Sequence, residues 1–309
     1  MRTSSTNIVL LGIAICDIII LFTILETASR SFLEYWQRRN IDSKCYVPET
    51  YFATHLDYFC MSLSDLSRRT SIWLGVSLAV LRTVIIKNPM NPAISQLSLP
   101  RFGWLSNFLI LLFCSPLSIL VFLRYTVVPY KSWAPPGSCG YAADRTETEY
   151  ILTNNGWFDE RSVIEFEEFL SGLIGELIPC IILPIATVLL ILEVRKQNKR
   201  QIGNIASGRS TKLVLFMTIS FFFAIGPLSI SDLVISFLGD APGFSAILNF
   251  LSSIFRLFLS FNAIVHCFIC FFMSIEYRNT AKELFGCKKT RTNVTRNVTI
   301  VRSIAEKSV

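Results

Sequence analysis

The chain has 309 residues, a hydrophobic content of 52%, 25 Phe residues and a formal net charge of +7. Its mean hydropathy of +0.51 exceeds that of soluble domains. These values exclude an ordinary soluble protein and indicate an integral membrane protein of the all-α class, a polytopic helix bundle. The positive charge is interpreted as a topology signal, so no nucleic acid partner is expected.

Six stretches are apolar and long enough to cross a hydrocarbon layer of about 30 Å as helices. They lie near 7–29, 55–86, 102–125, 170–194, 211–238 and 244–274. The second is interrupted by SLSDLSRRTS and is predicted from its apolar second half, its length and its flanks. Residues 275–287 predict an amphipathic helix parallel to the membrane, which completes a bundle over 1–287, and residues 288–309 predict a disordered basic tail.

Lys and Arg residues concentrate in the link at 195–212 and in the tail after 275. Positively charged loops stay in the cytoplasm, so we expect a multi-pass cell-membrane protein whose N- and C-termini are both cytoplasmic and whose loop at 126–169 is outside. An alternative makes the first segment a secretory signal peptide, which leaves five spans. Asp17 at its centre disfavours that alternative, because a carboxylate is costly in an apolar groove.

Asp17 is expected to face the bundle interior and to pair with polar groups there. The predicted partners are Ser71 in the second span and Asn262 in the last. A carboxylate, a hydroxyl and an amide could hold Na⁺, which prefers oxygen ligands. The alternative is a hydrogen-bonded packing cluster without an ion. No other cofactor is predicted.

Four short motifs occur in order along the spans. They are NIVLLGIAICD at 7–17, LRTVIIKNP at 81–89, FFFAIGP at 221–227 and NAIVH at 262–266. In this order the sequence resembles a rhodopsin-like G protein-coupled receptor, a seven-transmembrane bundle, with six spans visible. Within this superfamily the sequence most resembles nematode serpentine chemoreceptors of class W, which are similar to FMRFamide-type peptide receptors. This closer resemblance rests on Leu-Arg-Thr at 81–83, on the pair Asn262 and His266, and on SIEYR at 274–278.

The resemblance implies a receptor that passes binding of an extracellular ligand, here expected to be a peptide, to a heterotrimeric G protein. Arg82, with Lys87 and Pro89, would engage the G protein, and Gly226 and Pro227 would form the helix pivot. This sequence departs from the family pattern at Leu81, Ile225, Ala263 and His266. The family's first helix is expected to be missing, from a truncated gene model or in a product that does not signal alone.

The resemblance also implies a disulfide between the family's third helix, which is the second span here, and the outer loop that contains Cys139. The predicted partner is Cys60, and Cys45 in the preceding outer loop is the alternative. Cys287, at the end of the amphipathic segment, is a palmitoylation candidate, and an unmodified cysteine is the alternative.

The predicted ligand pocket lies in the outer half of the bundle and contains Ser64, Asp65, Arg68 and Arg69. Alternatively, Asp65 and Arg69 only neutralise each other. Acidic residues in the loop at 144–168 would attract a cationic ligand such as a basic peptide, unless this loop is simply solvated. No HExxH, GxSxG or P-loop motif occurs, so no enzyme is predicted. The rival hypothesis is a six-helix channel or transporter, lined by Asp17, Asp65 and Arg68.

Overall fold

The computed structural model of the chain describes residues 5–42, 45–88, 91–142, 144–156 and 161–200, and residues 215–273 with gaps at 217–218, 225, 228–229, 232–233 and 235–242. The helices are α1 (Ser5–Asn40), α2 (Tyr51–Lys87), α3 (Pro92–Leu97), α4 (Pro100–Arg124), α5 (Arg161–Gly172), α6 (Ile178–Arg200) and α7 (Phe244–Met273). Two strands follow α4, namely β1 (Tyr125–Trp133) and β2 (Glu147–Asn154). The described part of the chain is therefore a helix bundle with one small sheet.

Helix α1 is longer than the span predicted at 7–29. Its 36 residues extend about 54 Å, well beyond a hydrocarbon layer of about 30 Å. The additional turns contain two salt bridges between residues four apart, Glu26–Arg30 and Glu34–Arg38. Pairs at this spacing stabilise a helix in water. The charges that end the apolar segment therefore do not end the helix.

Helices α5 and α6 are joined without a break by a π-helical turn at Leu173–Leu177. Two residues of this turn, Gly175 and Glu176, are buried. The turn lies against α2, because a Cβ added at Gly175 would be 3.2 Å from the side chain of Arg69. Described residues of the predicted span at 211–238 are helical, among them 219–224.

The outer loop predicted at 126–169 contains an antiparallel hairpin that the sequence analysis did not predict. Tyr125 pairs with Asn154 and Trp133 with Glu147, and the register shifts between Pro129 and Lys131. The hairpin lies beside the start of α2, where the rings of Tyr51 and Tyr150 meet edge to face at 5.3 Å. We call this end of the bundle the hairpin end, and the opposite end the α3 end.

The distribution of polar and apolar side chains is that of a protein surrounded by lipid. Buried polar residues lie between the helices, including Asp17, Thr70 and Ser71. Large apolar side chains face outward, and α4 buries only Gly103, Cys114 and Ser118 of its 25 residues. Lipid removes the hydrophobic penalty for the exposed apolar faces, while polar groups are satisfied best inside the bundle.

Close approach of α1 and α4 depends on a glycine. A Cβ at Gly103 would lie 2.6 Å from the carbonyl oxygen of Ser5. One turn further along α4, Nδ2 of Asn107 donates a hydrogen bond to the carbonyl of Ile8 at 3.0 Å. Small residues and interhelical amides are typical of contacts between membrane helices. This contact fixes the half of α1 that contains Asp17.

Candidate functional site

Asp17 and Ser71 meet in the interior of the bundle. The Ser71 hydroxyl donates to Oδ1 of Asp17 at 3.4 Å, and Asp17 is 3% exposed. Asn262 is also buried, on α7, which packs against α1. Its Oδ1 has no hydrogen-bond partner among the described residues. A carboxylate, a hydroxyl and this amide oxygen are hard oxygen donors, so their chemistry fits a small cation such as Na⁺.

A group of four charged residues, which we call the charge cluster, connects α2 to the π-helical turn. It consists of Asp65, Arg68, Arg69 and Glu176. Nη2 of Arg68 lies 2.8 Å from Oδ1 of Asp65, and Nη2 of Arg69 lies 2.9 Å from Oδ2 of the same carboxylate. Arg68 also forms a salt bridge with Glu176. Two acids and two bases leave the cluster without net charge.

The charge cluster lies deep in the bundle. Arg69 and Glu176 are each 3% exposed, and hydroxyl groups of Ser118 and Ser171 contact Asp65 and Arg69. Nε and Nη1 of Arg69 are buried without a hydrogen-bond partner among the described residues. The charges of the cluster are therefore balanced, but two of its hydrogen-bond donors are unsatisfied. Its salt bridges connect α2 to the π-helical turn, which indicates a structural role.

Three of the four residues predicted for the ligand pocket thus belong to the charge cluster. The salt bridge between Asp65 and Arg69 agrees with the alternative, that these two residues neutralise each other. Ser64 is half-buried on the same helix. Sequence reasoning missed Glu176, although a single acidic residue in the apolar run LIGELIPCII was a signal for a buried ion pair.

The prediction that Cys60 pairs with Cys139 is wrong. Cys139 forms its disulfide with Cys45, with Cα atoms 5.4 Å apart, and Cys60 is a free, buried cysteine within α2. The reason is geometric. Cys45 belongs to the loop before α2, at the hairpin end, and the Tyr141 hydroxyl donates to its carbonyl at 3.4 Å. This alternative places both cysteines within the distance that a disulfide requires.

A cleft of about 600 Å³ opens at the hairpin end. Its walls come from the outer turns of α1, the loop before α2, the start of α2 and the hairpin. The charged and aromatic residues of its lining are Arg30, Glu34, Arg38, Tyr46, Glu49, Asp57, Trp133, Glu149 and Tyr150. None of the four residues predicted for the ligand pocket belongs to this lining. The volume is in the range of small-molecule sites.

The lining of the cleft has an excess of negative charge, because four carboxylates face two guanidinium groups. Glu34 pairs with Arg38, and Glu49 lies 3.5 Å from Arg30. Asp57 and Glu149 have no salt bridge among the described residues. Burial raises the pKa of Tyr46 above its ordinary value, and the carboxylates of Glu34 and Glu49 raise it further. The Tyr46 phenol therefore stays neutral and can donate a hydrogen bond.

The α3 end contains two of the residues predicted to contact a G protein, Arg82 and Lys87. Arg82 is half-buried on the last turns of α2, and Lys87 is exposed at its end. Arg101, Arg195 and Lys196 are exposed at the same end. Pro89, the amphipathic segment at 275–287 with Cys287, and the basic tail lie outside the described residues.

The predicted pivot lies in the described part of 215–234. Gly226 and Pro227 are helical and half-buried, and the carbonyl of Pro227 accepts a hydrogen bond from the Ser231 hydroxyl at 3.0 Å. A Cβ at Gly226 would meet no atom within 4 Å. A larger side chain would therefore fit at this position without a clash.

The family model described as "Serpentine type 7TM GPCR chemoreceptor Srw" matches residues 1–288. The chain belongs to this family. The resemblance to class W serpentine receptors is thereby confirmed, and so is the fold class, a membrane helix bundle. A search of curated proteins finds no match to the sequence.

Membership in the Srw family makes the chain a chemoreceptor of the multi-pass membrane type, in a class of receptors and not of enzymes. Four helices of the described chain are long and apolar enough to cross a membrane, in Ser5–Asn40, Tyr51–Lys87, Pro100–Arg124 and Phe166–Lys196. Within the described residues, no group of three or more His, Cys, Asp and Glu side chains could hold a metal ion.

Proposed function

We propose that this Srw receptor binds an extracellular peptide at its hairpin end and transmits the signal to a heterotrimeric G protein at its α3 end. The observation that carries the proposal is the course of α2. Asp57 lines the cleft near the start of this helix, and Arg82 lies near its end. At about 1.5 Å per residue the two are about 38 Å apart along one continuous helix.

The hairpin end is proposed to be extracellular. A disulfide persists in an oxidising compartment, and the Cys45–Cys139 bond lies at this end. Exposed basic residues gather at the α3 end, which agrees with a cytoplasmic location. Cysteine substituted at Glu149 should react with a membrane-impermeant maleimide on intact cells, whereas cysteine substituted at Lys87 should react only after permeabilisation. The reverse pattern would refute this orientation.

Arg82 is proposed to engage the G protein, with Lys87 and Pro89 beside it and Gly226 and Pro227 as the pivot that opens the α3 end. The test is guanine-nucleotide exchange on a purified G protein by the full chain in proteoliposomes. Arg82→Ala should abolish exchange and leave surface expression intact, because the guanidinium lies at the membrane edge. Arg101→Ala removes a guanidinium from the same end and should leave exchange unchanged.

The rival function is a channel or transporter, for which the buried charges would line a conduction path. The pairing of Asp65, Arg68 and Arg69 with one another and with Glu176 disfavours it, because paired charges hold helices together. Ligand-independent ion flux through the same proteoliposomes, without nucleotide exchange, would establish the rival instead.

Asp17, Ser71 and Asn262 are proposed to form a Na⁺-sensitive switch. Asp17→Asn keeps the shape of the side chain and removes its charge, so sodium-dependent lowering of agonist affinity should disappear, as linkage requires when an ion prefers one state. Ser62→Ala, on α2 but outside this group, is the control and should keep the sodium effect. If Asp17→Asn changes only folding yield, Asp17 is a packing partner and the switch proposal is wrong.

A further inference from the structure

We propose that the hairpin-end cleft is a subsite for a cationic nitrogen of the ligand, an ammonium or guanidinium group, which is bound by the carboxylates of Asp57 and Glu149. This inference rests on the proposed function only in assigning the cation to a signalling ligand. It specifies which part of the ligand enters the cleft and which side chains receive it.

The two carboxylates are distinguished from the others in the lining by the lack of a salt bridge among the described residues. Glu34 and Glu49 already face Arg38 and Arg30. Asp57 is half-buried at the start of α2 and Glu149 is half-buried on β2, and neither has a salt bridge among the described residues. Arg30 attracts Asp57 from beyond salt-bridge distance, and Lys131 is opposite Glu149 in the register of the hairpin. A half-buried carboxylate without a direct ion pair costs free energy, part of which an incoming cation would recover.

Aromatic rings complete the site. Tyr46, Trp133 and Tyr150 line the same cleft, and Tyr150 is held edge to face against Tyr51 at 5.3 Å. The faces of such rings attract ammonium and guanidinium groups. Carboxylates together with aromatic rings select a cation over a neutral or anionic group.

The position of the cleft allows the cation to reach it from water. The outer turns of α1 extend beyond the hydrocarbon layer, and Arg30, Glu34 and Arg38 lie on these turns. The Cys45–Cys139 disulfide links the turn between the strands to the loop before α2, so two of the wall segments are joined covalently. A site of about 600 Å³ is large enough for one cationic side chain of a peptide and too small for a folded partner.

The test uses two fluorescent probes that differ only in charge, dansyl-argininamide and its neutral isostere dansyl-citrullinamide. Their affinities for the full chain in lipid nanodiscs are measured by fluorescence anisotropy. The arginine probe should bind about tenfold more tightly. Asp57→Asn and Glu149→Gln should each weaken it by about threefold or more and leave the citrulline probe unaffected.

Glu147→Gln is the matched control. It makes the same charge change on the same strand, but Glu147 pairs with Arg145 at 3.3 Å and does not line the cleft. Its affinity for the arginine probe should stay within about twofold of the unaltered chain. Equal affinity for the two probes, no binding of either probe by protein with an intact disulfide, or an equal loss in Glu147→Gln would overturn the proposal.

Failure of this inference is separable from failure of the receptor proposal. Nucleotide exchange is measured on the same nanodiscs without any probe. If the chain prefers the arginine probe but drives no nucleotide exchange, the cation subsite is supported and the receptor proposal is refuted. If the chain drives exchange but does not distinguish the probes, the receptor proposal is supported and the cation subsite is refuted.

Discussion

The hairpin-end cleft and the charge cluster contain the same kinds of side chain but use them differently. In the charge cluster, Asp65 and Glu176 are matched by Arg68 and Arg69 within salt-bridge distance. In the cleft, Asp57 and Glu149 have no such match among the described residues. Matched buried charges hold the bundle together, and unmatched charges beside a cavity are available to a ligand. Substitutions in the two regions should separate these roles.

The largest loss of unfolding free energy is expected from a substitution in the charge cluster. Glu176→Gln removes a buried carboxylate from Arg68 and leaves an excess of positive charge inside the bundle, which should lower the free energy of unfolding by about 3–5 kcal/mol. Thermal unfolding of the purified receptor measures this loss. Glu34→Gln breaks the exposed pair with Arg38 and should cost about 0.5 kcal/mol or less. Similar losses in the two variants would contradict the structural role of the cluster.

The disulfide should have the next largest effect. Cys45→Ser and Cys139→Ser each open the loop that forms one wall of the cleft, and each should cost about 2–4 kcal/mol of unfolding free energy together with arginine-probe binding. Cys60→Ser keeps the disulfide and should keep the probe. Peptide mapping under non-reducing conditions gives an independent check, and a Cys60–Cys139 peptide would refute the pairing.

The smallest effect is expected from the cleft carboxylates. Asp57→Asn and Glu149→Gln remove unmatched charges, so the free energy of unfolding should change by less than about 0.5 kcal/mol while affinity for the arginine probe falls. Both quantities come from one protein preparation. A stability loss comparable to that of Glu176→Gln would mean that these carboxylates support the fold, and the distinction between the two regions would disappear.

The helices could be predicted from sequence because apolar length is a local property. The apolar segment around Asp17, for example, was predicted as a span and lies within α1. The receptor class was recognisable from the family motifs. The hairpin was missed although YTVVPYKSW and ETEYILTN are rich in β-branched and aromatic residues. The end of α1 was missed because the predicted span at 7–29 covered only the apolar stretch, whereas the salt bridge between Glu26 and Arg30 continues the helix beyond it.

The candidate site was less accessible to sequence reasoning, since it depends on contacts between distant segments. The partner of Arg68 is Glu176 on another helix, and no periodicity in α2 predicts it. Cys139 pairs with Cys45 and not with Cys60 because the hairpin brings it to the loop before α2. The cleft is lined by four segments that are distant in sequence: the outer turns of α1, the loop before α2, the start of α2 and the hairpin. Spacing along one helix suggested Asp65, Arg68 and Arg69 as a pocket, whereas their mutual pairing is visible only in three dimensions.

Ligand binding at the hairpin end and G-protein binding at the α3 end are proposed to be coupled through the bundle. The most direct test measures affinity for dansyl-argininamide in nanodiscs with and without nucleotide-free G protein. Because coupling between two sites is reciprocal, the G protein should raise the affinity at least about fivefold. Arg82→Ala should abolish this increase and Arg101→Ala should preserve it. An unchanged affinity, while both probe and G protein are bound, would contradict the account.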